Sequence, residues 1–298
     1  MNPRLEKLRA TLARQPVLGD GGMGTQLQQL GLKPGACGEL WNVTHPEHVR
    51  SVHRAYREAG AAWLTTNTFG GTSYVLAGHG EASRVAALNQ AGARLAREIA
   101  GDQACVLGDI GPFGGMLEPL GDALHDEVIV AFCEQASALL AGGADAILIE
   151  TMSDPVEAAL AVAAAKSVGA EFIIATFSFQ QSAGGYRTMM GTTAADAMAA
   201  VLDAGADVVG ANCGTELCLD DYVRLTAELV HAAQGRPVIV QPNAGSPRLV
   251  GNLICYDESA REFAAAVPRL LAAGARLIGG CCGSTPAHIA AMAPHFIP

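Results

Sequence analysis

The sequence predicts an α/β fold, a single (β/α)8 TIM barrel with an N-terminal helix before the first strand. The first observation is a repeated junction, in which an Ala-rich helical stretch ends at Gly and an apolar run begins two to four residues later. "EAGAAWLTTNTF", "AGGADAILIET" and "AGARLIGGCC" are three of these junctions. The second observation is the length of 298 residues, which is enough for one large barrel core. We therefore treat residues 1–298 as one domain.

Eight short apolar runs occur along the chain, each followed by a helical pattern, at spacings of roughly 26 to 46 residues. Strands that alternate with helices in this way form a parallel sheet, and eight such units close into a barrel. The segments that contain the runs are "PVLGDGG" from Pro16, "EAGAAWLTTNTF" from Glu58, "ACVLGDIG" from Ala104, "AGGADAILIET" from Ala141, "VGAEFIIATFSF" from Val168, "AGADVVGANC" from Ala204, "PVIVQPN" from Pro237 and "AGARLIGGCC" from Ala273.

A doubly wound open sheet that binds a dinucleotide is the alternative fold. The segment "GDGGMG", from Gly19 to Gly24, has the spacing G-x-G-x-x-G that such folds use to bind phosphate. That motif must open a well-formed helix, whereas "TQLQQLGLKPGACG" runs for about two turns before Gly31 and Pro34 break it. Loop geometry explains the glycines, and the barrel is the favoured fold.

Composition limits the partners and the compartment of the protein. The chain has 29 acidic and 19 basic residues, and its net charge of −10 opposes a phosphate backbone. Eight cysteines are too few for a disulfide framework in a chain of this length, and the charged N-terminus has no apolar signal segment after it. No apolar run reaches the roughly 18 residues of a membrane span. We expect a cytoplasmic, reduced protein that binds neither nucleic acid nor membrane.

Polar side chains stand at the end of nearly every predicted strand. In a parallel barrel these ends surround the active site, so the residues there are the first candidates for function. Polar residues also end strands as turn formers and helix caps, which is a sufficient explanation for Asn67, Ser178 and Asn243. The strand-end residues are Asp20, Asn67, Asp109, Glu150, Ser178, Asn212, Cys213, Asn243, Cys281 and Cys282.

Two adjacent cysteines lie between glycines in "GGCCGSTPAH". Successive side chains of a strand point to opposite faces, but glycine allows the backbone to turn so that Cys281 and Cys282 approach one point. Cys213 ends the sixth predicted strand, and the cysteine pair ends the eighth. Alternate strands of a barrel contribute inward side chains to the same layer, so the thiol of Cys213 can join the pair. Three thiolates at one point favour a soft metal, most plausibly Zn²⁺.

Other roles for the cysteines remain open. Buried cysteine often acts as a small apolar residue, and we expect this of Cys37, Cys105, Cys133 and Cys255. A vicinal disulfide is disfavoured in a reducing compartment. A closed structural zinc site would need a fourth ligand, for which Cys218 is the candidate, although it lies past Gly214 in a stretch that leaves the barrel mouth.

Taken together, these segments resemble the homocysteine S-methyltransferase family, which includes betaine-homocysteine methyltransferase and the homocysteine-binding module of cobalamin-dependent methionine synthase. The resemblance covers nearly the whole chain, and its local motifs are closest to the methionine synthase module. It implies a (β/α)8 barrel, zinc bound by Cys213, Cys281 and Cys282, and a homocysteine pocket that contains Asp20 and Glu150. The motifs are "GDGGMGTQL", "TNTFGGT", "GDIGPFG", "IET", "GANCG", "QPNAG" and "GGCCGSTPAHI".

Homocysteine chemistry agrees with that resemblance. A free thiol with a pKa near roughly 8.5 is mostly protonated at neutral pH, whereas a thiol bound to zinc loses its proton and can accept a methyl group. Asp20 and Glu150 suit the substrate ammonium, and glycine backbone such as that of Gly21 suits its carboxylate. Ser178 and Asn212 are further candidates for substrate contacts.

The methyl donor is the least determined part of the prediction. Similarity to the methionine synthase module favours methylcobalamin on a separate corrinoid protein, since no cobalamin module follows "GGCCGSTPAHI" in this sequence. A self-sufficient enzyme that uses S-methylmethionine, S-adenosylmethionine or betaine is the alternative. Trp41, Asn67, Phe69 and Tyr74 are the candidates for a donor-binding rim, although aromatic residues are scarce for a cage around betaine.

Two functions of other kinds fit the sequence less well. A hydrolytic zinc centre is disfavoured, because three thiolates reduce the Lewis acidity of the metal and no His stands at a predicted strand end. A non-enzymatic zinc-binding protein or redox sensor would release its metal when Cys281 and Cys282 are oxidised. A methyltransferase is the favoured function.

Overall fold

The computed structural model describes residues 2–250 and 253–296. Eight parallel strands form one sheet in the order β1-β8-β7-β6-β5-β4-β3-β2, a nearly closed barrel surrounded by helices. This confirms the predicted (β/α)8 fold. The strands are β1 Val17–Leu18, β2 Trp63–Thr65, β3 Cys105–Ile110, β4 Ala146–Met152, β5 Ile173–Phe177, β6 Val208–Cys213, β7 Val238–Pro242 and β8 Ala275–Ile278.

The helices pack around the outside of the sheet, and α1 precedes β1 as the sequence predicts. Several end at glycine, as the sequence pattern requires; Gly205, for example, has φ +109° after α9. The helices are α1 Pro3–Leu12, α2 Met23–Gln29, α3 Trp41–Thr44, α4 Pro46–Glu58, α5 Ser73–Ala77, α6 Val85–Ala100, α7 His125–Ala141, α8 Pro155–Ser167, α9 Ala194–Ala204, α10 Leu219–Ala232, α11 Ala260–Ala272 and α12 Pro286–Met292, with short 3₁₀ turns at Ala82–Arg84 and Ala293–Phe296.

Two loops after barrel strands carry small antiparallel hairpins. Gln180–Ser182 pairs with Gly185–Arg187 in the loop after β5, and Arg248–Val250 pairs with Leu253–Cys255 in the loop after β7. Both loops follow the carboxyl ends of their strands, so they stand at the end of the barrel where the polar strand-end residues lie.

A carboxylate helps to join the two ends of the sheet. The main-chain N–H of Ala62 donates to the carbonyl of Leu18 at 2.8 Å and links β1 to β2. Beyond this bond, Asp20 Oδ2 accepts from the N–H of Thr65 at 2.6 Å, and Asp20 Oδ1 accepts from the Thr65 hydroxyl at 2.8 Å. Asp20 therefore satisfies backbone that a longer β1 would otherwise pair.

The interior of the barrel is filled by an apolar plug. Alternate residues of the strands point inward, among them Trp63, Leu107 and Leu148, and α1 adds Leu5 and Leu8 from below. Each buried leucine of this kind stabilises the fold by about 1.5–3 kcal/mol. The plug and α1 fill the amino-terminal end of the barrel, so the carboxyl end is the one that can hold a ligand.

A fully buried carboxylate holds α1 against the barrel. Asp145, just before β4, accepts hydrogen bonds from Asn2 Nδ2 at 2.7 Å, Arg4 Nε at 2.9 Å and the N–H of Val106 at 2.8 Å, as well as from the guanidinium of Arg97. Every one of these donors compensates the cost of burying the charge.

Within residues 2–250 and 253–296, we find no helix whose length and apolar character would let it cross a membrane.

Candidate metal centre and substrate cavity

A cavity of about 480 Å³ opens at the carboxyl ends of the barrel strands. This volume is sufficient for a small-molecule ligand. Its wall combines polar strand-end residues with apolar residues from the loops above them. Residues on the wall include Gly21, Met23, Glu39, Asn67, Phe69, Asp109, Glu150, Cys213, Gln241, Tyr256, Cys281 and Cys282.

Three cysteines meet on this wall. The Sγ atoms of Cys213, Cys281 and Cys282 all lie within 4.8 Å of one another, as the sequence pattern predicts. Zinc bound by thiolates at about 2.3 Å in a tetrahedron places its sulfur atoms about 3.8 Å apart, so the spacing of the trio fits such an ion.

The turn after β8 brings two consecutive thiols to the same side. The N–H of Cys281 donates to the carbonyl of Pro242 at 2.7 Å, and the carbonyl of Cys282 accepts from the N–H of Ala244 at 2.9 Å. Gly283 follows with φ +79°, and a Cβ there would collide with the ring of Tyr256. The turn is thus fixed to the end of β7, and only glycine fits at position 283.

Cys213 has an unusual backbone conformation. Its φ of +55° lies in the left-handed region, where a residue with a side chain costs about 1–3 kcal/mol and persists only if its surroundings hold it. Asn243 provides part of that support, because its Nδ2 lies 3.6 Å from Cys213 Sγ and donates to the carbonyl of Gly214 at 3.2 Å. The strained turn directs the thiol toward the other two.

Asn212 connects the cysteines to Glu150. Its Oδ1 accepts from the N–H of Thr151 at 2.8 Å, and its Nδ2 donates to Glu150 Oε2 at 3.1 Å and lies 3.8 Å from Cys281 Sγ. Thr151 also has a positive φ, of 61°. The fully buried amide of Asn212 therefore fixes both the carboxylate and a thiol, and it lies behind the wall rather than on it.

Close packing couples the protonation of the three thiols. Hydrogen bonds from Cys281 and Cys282 lower the pKa of Cys213 to about 3. Donating to Cys213 raises the pKa of Cys282 to about 12 and that of Cys281 well above its usual value. One sulfur thus ionises readily only while the other two keep their protons, and all three can be thiolates together when a cation neutralises them. This donor set fits Zn²⁺.

Burial also raises the pKa of the carboxyl groups around the cavity. The pKa of Glu150 rises to about 8 through burial, then through the charges of Cys213 and Asp20. That of Asp20 rises to about 7 through burial, although its hydrogen bonds from Thr65 oppose the shift. Asp20 does not line the cavity, whereas Gly21 beside it does. The carboxylate of Asp20 instead anchors β2, and its carbonyl accepts from the N–H of Gly280 at 2.9 Å, just before the cysteine turn.

A protein-family model described as homocysteine S-methyltransferase matches residues 17–296. The chain belongs to the homocysteine S-methyltransferase family. It is 34% identical to the methionine synthase of Mycobacterium leprae over 307 residues and 34% identical to that of Mycobacterium tuberculosis over 301 residues. The alignments include 96% and 95% of this chain but only 25% of each relative, so the chain spans about a quarter of their length.

Solved structures of similar size share the fold. The metallated form of the homocysteine methyltransferase MmuM from Escherichia coli has a TM-score of 0.78 and 28% identity, with 97% of this chain and 99% of that one covered. Its apo form has a TM-score of 0.72 and 27% identity, with 96% and 98% covered. The family match and these structures together show the family and the fold of this chain.

The structure brings together some of the residues predicted for the family's substrate and donor, but not all of them. Gly21, Asn67, Phe69 and Glu150 line the cavity. Ser178 follows β5, where its N–H donates to the carbonyl of Met152 at 2.9 Å, and it does not line the cavity.

Two of the four candidates for the donor rim lie away from the cavity. Trp41 stacks on His45 with a centroid distance of 4.5 Å, and Tyr74 packs edge-on against Phe113 at 5.3 Å. Neither side chain lines the cavity: Trp41 packs on the residue that ends its own helix α3, and Tyr74 packs on Phe113. An aromatic cage that uses all of the predicted rim therefore does not form.

Two cysteines differ from the roles weighed for them. Cys218 caps α10, where its Sγ donates to Asp221 Oδ2 at 3.0 Å, and it is not part of the trio, so the closed four-cysteine site is not formed. Cys255 is exposed, so the prediction that it is a buried apolar residue is wrong; it lies on the hairpin after β7. Cys37 and Cys105 are buried as predicted, and Cys133 is partly buried.

Tyr256 is a residue of the site that the sequence did not indicate. It lies on the cavity wall, packed over Gly283 and close to Cys282. Burial, and then the negative charge of Cys282, raises the pKa of this phenol. Tyr256 lies in the irregular segment between the hairpin strand Leu253–Cys255 and α11, where no strand or helix periodicity marks an inward-facing position.

Proposed function

We propose that this chain methylates the sulfur of homocysteine to form methionine, and that Cys213, Cys281 and Cys282 hold Zn²⁺ for this reaction. The observation that carries the proposal is the trio of thiols within 4.8 Å on the wall of a substrate-sized cavity. The metallated form of the Escherichia coli relative supports a metal in the same family. Zinc bound there would offer an open fourth position at which a substrate thiol loses its proton and stays nucleophilic.

The chain's own residues orient the substrate. Asn212 holds Glu150 Oε2, so the carboxylate of Glu150 is fixed on the cavity wall near the thiols. An ammonium placed against Glu150 favours its ionised form and makes a charge-assisted hydrogen bond. Gly21 lies on the cavity wall, where its backbone is available to the substrate carboxylate, and a Cβ there would lie 2.6 Å from Ser284 Oγ, so only glycine fits.

Asp20 and Asn243 act from behind the wall in this proposal. Asp20 holds Thr65 with its side chain and Gly280 with its carbonyl, which positions both Gly21 and the cysteine turn. Asn243 supports Cys213 in its strained conformation. These residues orient the groups that touch substrate, so their replacement would disturb the geometry of the site rather than remove a substrate contact.

Two classes of methyl donor fit. The similarity to methionine synthases supports methylcobalamin delivered by a separate corrinoid protein. The charge of the cavity favours a cationic small molecule, namely S-methylmethionine, S-adenosylmethionine or betaine, because Glu39, Asp109 and Glu150 line it and the described residues of its wall include no Lys, Arg or His. We place the reaction in the cytoplasm, where closely packed thiols stay reduced.

A panel of donors tests the proposal. Zinc-loaded protein is mixed with homocysteine and each donor in turn, including methylcobalamin with and without a corrinoid protein, and methionine is measured. Methionine formation that is lost with a chelator and restored by Zn²⁺ supports the proposal. Zinc binding without methionine from any donor would instead favour a zinc-binding protein or redox sensor.

A further inference from the structure

Asp109 is a buried carboxyl group on the floor of the cavity, and it has no role in the function proposed above. It lies in β3, two residues after Leu107 of the apolar plug, so both side chains point into the barrel. In the parallel register Asp109 is opposite Leu148 of β4, and Glu150 follows two residues later on the same inward face. Asp109 and Glu150 are therefore neighbours at the top of the plug.

The carboxyl group of Asp109 is not satisfied by the protein. Asp109 is 4% exposed, and within the described residues its Oδ1 is buried with no hydrogen-bond partner. Gln241, also on the cavity wall, is 3% exposed and has an unpartnered Oε1 of the same kind. Buried acceptors are almost always paired in native proteins, so two orphans on one cavity wall indicate that a ligand brings the donors.

The charges around Asp109 have one sign. Burial raises its pKa well above the usual range, and the neighbouring charges of Glu150, Glu39 and Asp20 raise it further. The described residues on the cavity wall include no Lys, Arg or His to offset them. A ligand that satisfies this floor must supply both hydrogen-bond donors and positive charge, and an ammonium group supplies both.

The other carboxylates near the floor already have partners. Both oxygens of Asp20 accept from Thr65. Glu39 Oε1 accepts from the N–H of Gly70 at 2.7 Å, and its Oε2 accepts from the thiol of Cys37 at 3.4 Å. Asp109 is the carboxyl group among these that remains available to a ligand together with Glu150.

Homocysteine is the substrate whose ammonium reaches this place. Four covalent bonds separate its sulfur from its nitrogen, so a sulfur held at the cysteine trio keeps the ammonium nearby. Glu150 is close to both the cysteine trio and Asp109, since its charge raises the pKa of Cys282 and that of Asp109. Resting on the function proposed above, we infer that Asp109 is a specificity-determining residue that binds the homocysteine ammonium together with Glu150.

The test removes the ammonium from the ligand and the carboxyl group from the protein. Binding of homocysteine and of 4-mercaptobutanoate, which lacks the amino group, is measured by calorimetry on zinc-loaded wild type, Asp109→Asn and Asp109→Leu. We expect wild type to prefer homocysteine, and both variants to lose at least about tenfold of that preference, the size of a lost charge-assisted hydrogen bond. Zinc content should not change.

Thermal unfolding separates a binding role from a structural one. Because Asp109 loses no hydrogen bond on substitution and like charges are relieved, we expect both variants to melt at or above the wild-type temperature. Glu157→Leu is the matched control, because leucine offers no acceptor in place of the carboxyl oxygen, whereas a glutamine amide oxygen would. Glu157 is also a buried carboxyl group with a raised pKa, but it accepts from the N–H of Phe113 at 2.7 Å and does not line the cavity. That variant should melt lower and keep the ligand preference.

Two results overturn the inference. An unchanged preference for homocysteine over 4-mercaptobutanoate in both Asp109 variants would remove the residue from the ammonium site. Melting temperatures lowered as much as in Glu157→Leu would assign Asp109 a structural role. Wild type that binds zinc but not homocysteine would instead overturn the proposed function itself.

Discussion

Two buried aspartates at opposite ends of the barrel show how the ends differ. Asp109 and Asp145 are each 4% exposed, and they belong to neighbouring segments of the sheet. Asp145, at the amino-terminal end, accepts from Asn2, Arg4, Arg97 and Val106. Asp109, at the carboxyl end, has an oxygen without a partner in the described residues and lies among acidic neighbours.

The difference teaches where this fold is optimised for stability and where it is not. A buried charge is tolerated when donors surround it, and the end closed by α1 follows that rule completely at Asp145. At the cavity end, Asp109 and Gln241 each have a buried oxygen without a donor in the described residues, and Cys213 and Thr151 have positive φ. Unsatisfied groups and backbone strain of this kind are characteristic of functional sites.

The largest effect is expected at the thiols. Replacing Cys213, Cys281 or Cys282 by Ser should remove both bound zinc and methionine formation, by more than the roughly 10- to 100-fold that loss of a supporting hydrogen bond costs. Metal analysis and a methyltransfer assay measure this. Cys218→Ser is the control, because Cys218 lies outside the trio at the start of α10 and should keep zinc and activity. Zinc loss in that control would contradict the three-cysteine centre.

A substitution at the amino-terminal end of the barrel should change the stability of the protein and not its binding of homocysteine. Asp145→Ala leaves the guanidinium groups of Arg4 and Arg97 without their buried partner, and we expect it to cost about 3–5 kcal/mol of unfolding free energy. Urea unfolding measures the loss, while homocysteine affinity of the folded fraction should stay at the wild-type value. A variant as stable as wild type would break the contrast between the two ends.

His53 tests whether an orphan group outside the cavity behaves differently. His53 in α4 is fully buried, neither ring nitrogen has a partner in the described residues, and burial lowers its pKa to about 4. The unfolded chain takes up this proton first, near its ordinary pKa of about 6.5, so stability falls as the pH drops from 6.5 to 4, by up to about 3 kcal/mol.

Replacing His53 by Leu should remove that part of the acid dependence. The free energy of unfolding of wild type and of His53→Leu is compared at pH 7.5, 6 and 4.5. The stability of the variant relative to wild type should increase as the pH falls. Methyltransfer should not change, because His53 does not line the cavity. A difference between the two proteins that is constant with pH would show that His53 titrates normally.

The smallest expected effect is the pH dependence of homocysteine binding through Glu150. Its pKa of about 8 in the empty site means that binding of the ammonium releases a proton near neutral pH. Affinity should therefore rise with pH up to about 8, by at most about tenfold per pH unit from this group. Glu150→Gln should lower the slope; equal slopes in both proteins would exclude Glu150 from the ammonium site.

Local pattern was sufficient for the architecture and for the thiol trio. Apolar runs after glycine-ended helices correspond to barrel strands, and the glycines around Cys281 and Cys282 allow the turn that the sequence requires, with Gly283 at φ +79°. Placing Cys213 at the end of β6 needs only strand order and inward alternation, both of which are regular in a parallel barrel.

Other parts of the site depended on contacts that no local pattern records. The resemblance placed Asp20 in the pocket, yet its carboxylate is taken by Thr65, 45 residues away. Trp41 and Tyr74 are aromatic residues of the type expected in a donor rim, but each packs against a neighbour outside the cavity. Tyr256 reaches the thiols from an irregular loop, where side-chain direction follows no periodicity.

By itself, then, the sequence determined the barrel and the three sulfur positions, because both follow from short-range periodicity, glycine placement and strand order, and its motifs carried the resemblance to the family. Only the tertiary structure decided which buried polar groups are satisfied. Asp145 accepts a hydrogen bond from Asn2, which is 143 residues away in the sequence, whereas Asp109 Oδ1 has no donor in the described residues. Satisfaction of a buried charge depends on groups that are distant in sequence and close in space, and local pattern does not encode that proximity.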